Sequence, residues 1–214
     1  MNVFHVGARG NPVRGWEKEV TVIGFDADCH EVNRLHDKYP NHKFFGEVLG
    51  SSNSVRDLYI TESPECVSLL EPIPENWQFA GRQGRAKVIN IEKVKTRTLD
   101  SWCEEHKIYP DFLKIDVQGY ELNVIRGYKD IHKLAGVETE VFFTPLYRHQ
   151  VLFFDIYKNL NDQGFELYKL NQCLWNGRMV FGDALFLNPK HKHFDFFAKH
   201  YGVVGEMSVQ WLKK

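Results

Sequence analysis

The stretch Pro110-Asp111-Phe112-Leu113-Lys114-Ile115-Asp116-Val117-Gln118-Gly119-Tyr120-Glu121-Leu122-Asn123-Val124-Ile125-Arg126-Gly127 joins a strand to a helix across a single glycine. Phe112 to Val117 is an apolar, β-branched run, and from Tyr120 to about Tyr128 a helix is expected. A strand that passes straight into a helix is half of a parallel crossover, since a parallel neighbour cannot be reached by a tight turn. The same unit recurs on both sides. Upstream lie Val3-Phe4-His5-Val6, a turn from Gly7 to Gly10, the strand Thr21 to Phe25, a helix near Cys29 to Lys38 and a strand Lys43 to Val48. Downstream lie a fifth core strand from Val137 to Phe143, an amphipathic helix from Gln150 to Asp162, and strands Phe165 to Leu170 and Val180 to Leu187. Such alternation predicts an α/β fold: a mostly parallel central sheet with helices on both faces, and an antiparallel edge made by the last two strands.

Between these halves, Gly50 to Gly84 holds Ser51, Ser52, Asn53, Ser54, Pro64, Pro72, Pro74 and Gly81 around short apolar groups, and reads as loops and an excursion. Ala86 to Thr96 has a strand pattern, and Thr98 is placed to cap a helix beginning at Leu99. Lys190 to Lys214 is expected to be a terminal helix and a tail. With no internal repeat or charge block to divide it, the chain of 214 residues is expected to form one domain, 1–214. The first strand begins almost at Met1, so a longer native N-terminus or a preceding helix is expected.

Hydrophobic residues make up 43% of the chain and charged residues 26%, the balance of a globular protein with a sizeable core. A formal net charge of −1, without a Lys or Arg cluster, argues against a nucleic-acid partner. No apolar run approaches the roughly 18 residues that a membrane span needs. Cys29, Cys66, Cys103 and Cys173 lie far apart with no C-x-x-C pair, which suits a reducing, cytoplasmic setting. His191-Lys192-His193 is too short and isolated for a metal site, so no metal is expected.

His5-Val6-Gly7-Ala8-Arg9-Gly10 places a glycine turn at the carboxyl end of the first strand, where the backbone can approach a ligand closely. The second strand ends in Gly24-Phe25-Asp26-Ala27-Asp28, a carboxylate about 20 residues after the glycines, where a ribose diol would find two acceptors. Asp26 is read as that ribose ligand and Asp28 as the cap of the next helix. A nicotinamide enzyme shares this geography, but the G-x-G-x-x-G spacing that cradles a pyrophosphate is missing. A nucleotide-cofactor oxidoreductase therefore stands second.

The segment Pro110 to Gly127 resembles the signature of the FkbM methyltransferase family: a strand ending Lys-Ile-Asp-Val-Glu-Gly, an acidic residue on the following helix, and a closing glycine. The Gly7-Ala8-Arg9 turn, Asp26, Ser68-Leu69-Leu70-Glu71-Pro72, Thr98-Leu99-Asp100 and Gly164-Phe165 follow in the order of that family, so the resemblance spans nearly the whole chain. Gly182-Asp183-Ala184-Leu185-Phe186 is similar to an ending found in members linked to bacterial polysaccharide genes. The resemblance implies a Rossmann-like class I methyltransferase fold, S-adenosyl-L-methionine as cofactor, and O-methylation of a hydroxyl on a sugar, polysaccharide or macrolide-like product. It places His5, Gly7, Ala8, Arg9, Asp26, Ala27, Leu49, Gly50, Ser68 and Asp116 around the cofactor, with a small-molecule or glycan acceptor beside them.

Three positions depart from the family pattern: His5 stands for an Asp, Arg9 for an Asn and Gln118 for a Glu. Gln118 keeps hydrogen-bonding capacity but cannot act as a general base. Together with His5 it leaves open a noncatalytic member that binds cofactor or glycan without turnover. Methyl transfer to a hydroxyl needs an oriented acceptor oxygen and a group to take its proton. Asp116, at the end of its strand, is the first candidate. Glu138 and Glu140 share one face of the fifth strand, and Glu140 is the second. His149, after Tyr147 and Arg148, is the third. Glu121 is read as a helix residue able to pair with a basic side chain. Of Trp16, Trp77, Trp102, Trp175 and Trp211, only Trp77 and Trp175 sit in surroundings that suit stacking on a sugar ring; the others are expected in the core.

Overall fold

The computed structural model describes residues 1–13, 15–16, 20–79 and 84–203. Along them the chain runs β1 (Asn2–Val6), β2 (Thr21–Phe25), α1 (Cys29–Lys38), β3 (Lys43–Phe45), β4 (Val48–Leu49), β5 (Ser54–Thr61), α2 (Pro74–Phe79), β6 (Val88–Arg97), α3 (Leu99–His106), β7 (Phe112–Ile115), α4 (Glu121–Arg126), β8 (Gly136–Phe142), α5 (Phe153–Asn161), β9 (Glu166–Trp175), β10 (Arg178–Leu187) and α6 (Phe194–His200).

A seven-stranded sheet has the order β3-β2-β1-β7-β8-β10-β9. From β3 to β8 every neighbouring pair is parallel, while β10 runs antiparallel to both β8 and β9. The last two strands thus pair as the sequence predicts, but the reversed strand lies second from the edge, inserted between two that share the common direction. Both also extend further than their apolar runs. Asn176 and Gly177 close a two-residue turn with φ of 48° and 75°, the left-handed pair that matches strand twist, and pairing continues up to it.

Alternation along the strands divides the core between the two faces. Phe4, Ile23 and Leu113 pack with Trp102 of α3, Ile125 of α4 and Ile156 of α5, whereas Val3, Val22 and Phe112 pack with Leu35 of α1 and Phe197 of α6. Trp102 is fully buried, edge-on to Phe4 and Phe25 at 5.4 and 4.9 Å. Two helices start where their caps predict. Asp28 accepts from the amides of His30 and Glu31 at 2.9 and 3.3 Å, and Thr98 accepts from Ser101 at 3.1 Å.

The excursion differs from its reading as loops. Ser54–Thr61 is an eight-residue strand that pairs antiparallel with β6, while β4 pairs with β6 in parallel, forming a second sheet of order β4-β6-β5. Little in β5 announces a strand, because only Leu58 and Thr61 are buried; it is made by pairing with residues 27 to 42 positions away. The expected strand Lys43 to Val48 is divided between the two sheets, ending at Phe45 in the first and resuming at Val48 in the second. α2 and the loops around it join the sheet end through a small core of Cys66, Trp77, Phe142, Leu146 and Tyr147. Trp211 and most of the expected C-terminal tail lie outside the described residues, as does Gly81. No described helix is long and apolar enough to cross a membrane.

From β1 the chain moves outward through β2 to β3, and on the other side from β7 through β8. The strand order therefore reverses between β1 and β7, which opens a crevice at their carboxyl ends, bordered by Gly7 and Asp116.

Candidate active site

Gly7 adopts φ of +80°, and a Cβ placed on it would lie 1.8 Å from the carbonyl oxygen of Asp116. Only glycine lets the ends of β1 and β7 come this close. The amides of Gly7 and Ala8 both donate to the carbonyl of Phe25, at 2.8 and 2.9 Å, which ties the turn to β2. Its far end is clamped by α1: Gly10 donates to Glu31 Oε1 at 2.7 Å and its carbonyl accepts from Arg34 Nη2 at 2.8 Å. The Arg34 guanidinium also holds the Glu31 carboxyl down to about 2. A floor of backbone amides is thus fixed before any ligand arrives.

At the end of β2, the Asp26 side chain is largely buried and Asp28 is half-buried. Asp26 Oδ1 accepts from the Asp28 amide at 2.8 Å, and Arg9 reaches Asp26 at 3.5 Å and Asp28 at 3.0 Å. Burial raises the Asp26 pKa, against the pull of the Asp28 amide and of Arg9. For Asp28, burial opposes the charge, but the Arg9 guanidinium and the amides of Glu31 and His30 outweigh it and hold the carboxyl below its usual range. The cap and the ribose candidate are therefore distinct in environment, though two residues apart.

The turn after β7 is built on left-handed backbone, with φ of 56° at Gln118 and 96° at Gly119. Three side chains hold it. Glu121, fully buried, accepts from the amides of Val117 and Gly119 at 3.2 and 2.9 Å, so its partners are backbone donors in place of the basic side chain anticipated. Burial pushes its carboxyl up to about 8. Ser68 donates to the Gln118 carbonyl at 2.7 Å and accepts from the Leu70 amide at 3.0 Å. Gln118 Nε2 donates to Asp116 Oδ1 and to Glu140 Oε2, each at 2.8 Å, and the Tyr147 hydroxyl lies 3.2 Å from Gln118 Oε1. Asp116 opens to the cleft, and desolvation at its deep position raises its pKa, with Gln118 and Lys114 acting the other way.

These elements enclose a cleft of about 930 Å³. Of the candidates from sequence, Gly7, Arg9, Asp26, Ala27, Leu49, Ser68, Asp116 and Glu140 line it. Four do not. His5 points to the opposite face from Phe4, is buried, and is pushed down to about 3 by burial and the nearby Lys114 cation, so it is neutral and beneath the floor. Ala8 is buried in the core shared with α1 and α6. Gly50 packs against the Tyr120 ring. His149 stands exposed on a left-handed turn after β8, outside the lining. Glu138, one alternation from Glu140, instead pairs with Lys114 at 2.8 Å and accepts from the Tyr201 hydroxyl at 2.9 Å.

Sequence reading missed the wall opposite the floor. Leu58 and Ile60 of β5 and Ile89 and Glu92 of β6 line the cleft, so the second sheet closes one side of it. Tyr147 was noted for its place in the chain, but its contact with Gln118 was not foreseeable, since it depends on how the loop after β8 folds back. Trp77 lines the cleft but is buried, its Nε1 donating to the Leu146 carbonyl at 3.0 Å, while Trp175 lies partly exposed beside the β9–β10 turn. Among the described residues no three His, Cys, Asp or Glu side chains are grouped to hold a metal ion.

A sheet with one reversed strand inside its edge, a glycine floor at the switch point and carboxylates ending the second and fourth core strands define a Rossmann-like class I methyltransferase fold. The family described as "Methyltransferase FkbM domain" matches residues 11–167, and the chain belongs to it. The match begins beyond the glycine turn and ends in β9, a shorter span than the motifs suggested. S-adenosylmethionine is accordingly the methyl donor, which removes the nicotinamide alternative. No curated protein matches the sequence. Among solved structures, a magnesium protoporphyrin IX methyltransferase from Synechocystis PCC 6803 with bound S-adenosylmethionine has 13% identity and a TM-score of 0.43, over 86% of this chain and 68% of the other. A TehB-like S-adenosylmethionine-dependent methyltransferase from Corynebacterium glutamicum ATCC 13032 Kitasato has 11% identity and a TM-score of 0.40, over 87% and 79%. The CMeT domain of the citrinin polyketide synthase has 9% identity and a TM-score of 0.42, over 88% and 46%.

Proposed function

We propose that this chain is an O-methyltransferase acting on a hydroxyl of a sugar or similar polyhydroxylated acceptor. The observation that carries the reading is the pair Asp116 and Glu140, two carboxylates facing one cleft and bonded to the same amide nitrogen. Adjacent hydroxyls on a ring offer two donors side by side, and a pair of acceptors is what holds them. Glu47, Glu62 and Glu92 also line the cleft, so a neutral acceptor is favoured over one bearing phosphate or carboxylate.

The residues fit the donor. Gly7 lines the cleft where the ends of β1 and β7 come closest, and Asp26 offers carboxylate oxygens where a ribose diol would lie. S-adenosylmethionine supplies, when bound, a methyl group activated by its sulfonium. Asp116 is read as the group that orients the acceptor hydroxyl and takes its proton as the new C–O bond forms and the S–C bond breaks. Its pKa is raised by its place deep in the cleft, which favours it as a base. Glu140 holds the neighbouring hydroxyl. Leu58 and Ile60 of β5 set an apolar wall beside the transfer.

Two measurements test this. Isothermal titration with S-adenosylmethionine and S-adenosylhomocysteine comes first, with saturable binding expected for both. A radiolabelled-methyl assay over neutral methyl glycosides and oligosaccharides follows, expecting a methyl ether whose formation drops by about 10²–10⁴-fold in Asp116→Asn and is little changed in His149→Ala. Transfer to nitrogen or carbon acceptors alone would overturn the hydroxyl reading.

A further inference from the structure

We propose that Gln118 is a positioning residue for methyl transfer, its single amide nitrogen holding the Asp116 and Glu140 carboxylates as a spaced pair directed at one acceptor. The proposal rests on the reading of those two carboxylates as the acceptor-facing groups, but its test needs no acceptor.

The geometry admits few other assignments. An amide NH₂ has two hydrogens and carboxylates only accept, so two contacts of 2.8 Å from one nitrogen use both hydrogens. Two such bonds from one planar group put the accepting oxygens about 5 Å apart. The other end of the amide is fixed as well. Its oxygen faces the Tyr147 hydroxyl at 3.2 Å, and that hydroxyl also lies 3.1 Å from the Cys66 carbonyl, within a fully buried side chain. The backbone is held in turn by Ser68, whose hydroxyl bonds the Gln118 carbonyl and pins a left-handed residue that is not glycine. Such a conformation is uncommon outside Gly, Asn, Asp and His, and persists where the surroundings enforce it.

In this chain the amide, standing where the family pattern has Glu, supplies both donors. A glutamate would bring a third acid into contact with two others and offer no donor. An apolar side chain of the same length would leave both carboxylates without their shared hydrogen bonds. The charge around Asp116 makes the donor consequential. Lys114 on β7 is the cation close to it, whereas Glu138 and Glu140 on β8, Asp183 on β10, Glu65 beside β5 and Glu121 at the start of α4 all face it as acids.

The test is carboxyl ¹³C NMR on the full chain labelled at Asp and Glu, with resonances assigned through Asp116→Asn and Glu140→Gln. In Gln118→Met both carboxylates lose a donor to their charged forms, and both titration midpoints should rise by about one pH unit. In Gln118→Glu the three acids should titrate in spread, coupled steps. Midpoints unmoved in a folded Gln118→Met protein would overturn the proposal. Should that variant fail to fold, the wild-type protein labelled with ¹⁵N at glutamine gives the answer: the Gln118 side-chain NH₂ signal must shift as Asp116 and Glu140 titrate, and a signal flat from about pH 3 to 8 would refute the bridge. Failure of the glycan assay alone would remove the sugar and leave this result standing.

Discussion

Gly7 and Gly10 share a left-handed backbone, at φ of +80° and +77°, but differ in what surrounds them, and the difference gives a sharp expectation. A methyl group on Gly10 meets nothing within 4 Å, so Gly10→Ala should lose only the left-handed strain of about 1–2 kcal/mol. On Gly7 the same methyl would sit 1.8 Å from the Asp116 carbonyl oxygen, more than an ångström inside the 3.0 Å that real Cβ atoms respect. To the strain is added overpacking of about 1–3 kcal/mol, because β1 and β7 must separate against their shared ladder. Gly7→Ala is therefore expected to be less stable by about 2–5 kcal/mol. The same displacement moves the cleft floor by about an ångström, enough to cost about a hundredfold in catalysis. Urea unfolding of both variants, with calorimetric titration of S-adenosylmethionine, separates the effects. Equal stability and equal affinity for the two variants would show that the floor does not depend on this close approach.

Other expectations follow from the acids. Asp28→Ala should lose about 1 kcal/mol of stability through the cap of α1, with little change in cofactor affinity, whereas Asp26→Ala should weaken S-adenosylmethionine by about 10–100-fold, both read by titration and urea melts. Glu121 is raised from 4.5 to about 8, so its native form binds a proton more tightly than its unfolded form. The stability that Glu121 contributes should be full below 4.5 and decline as pH rises toward 8, by a few kcal/mol, and Glu121→Gln should flatten that decline. Parallel pH profiles for the two proteins would contradict the assigned burial.

The parallel half of the fold was legible because its strands carry their own apolar runs, with glycine turns after β1 and β7; β1, β2 and β7 and the caps Asp28 and Thr98 stand where local rules put them. β5 was not, since a strand half open to solvent and built by a long-range partner leaves no periodic trace. The hairpin at Asn176-Gly177 did carry a signal, the strongest two-residue turn there is, but its flanks, Leu174, Trp175, Arg178 and Met179, are exposed and lack strict alternation, and were left outside the strands. In the site, residues at strand ends were readable by position alone. Distances were not: that one amide joins Asp116 to Glu140 depends on a left-handed turn after β7 and on Ser68, fifty positions upstream in the excursion.

Arg9 turns a departure from the family pattern into a test of the donor site. Its guanidinium, 3.5 Å from Asp26 and 3.0 Å from Asp28, is the cation that offsets the burial of Asp26. Removing it in Arg9→Asn leaves burial and the neighbouring acids Asp28 and Glu31 acting together, so the Asp26 pKa must rise. A protonated Asp26 gives up part of its capacity to accept from a ribose diol. Cofactor binding should then weaken as pH falls in both proteins, with the weakening beginning at higher pH in Arg9→Asn. Titrations of S-adenosylmethionine between about pH 4 and 8 would reveal this. If the acid limb stays in place while affinity falls evenly at every pH, Arg9 touches the cofactor directly and does not act through Asp26.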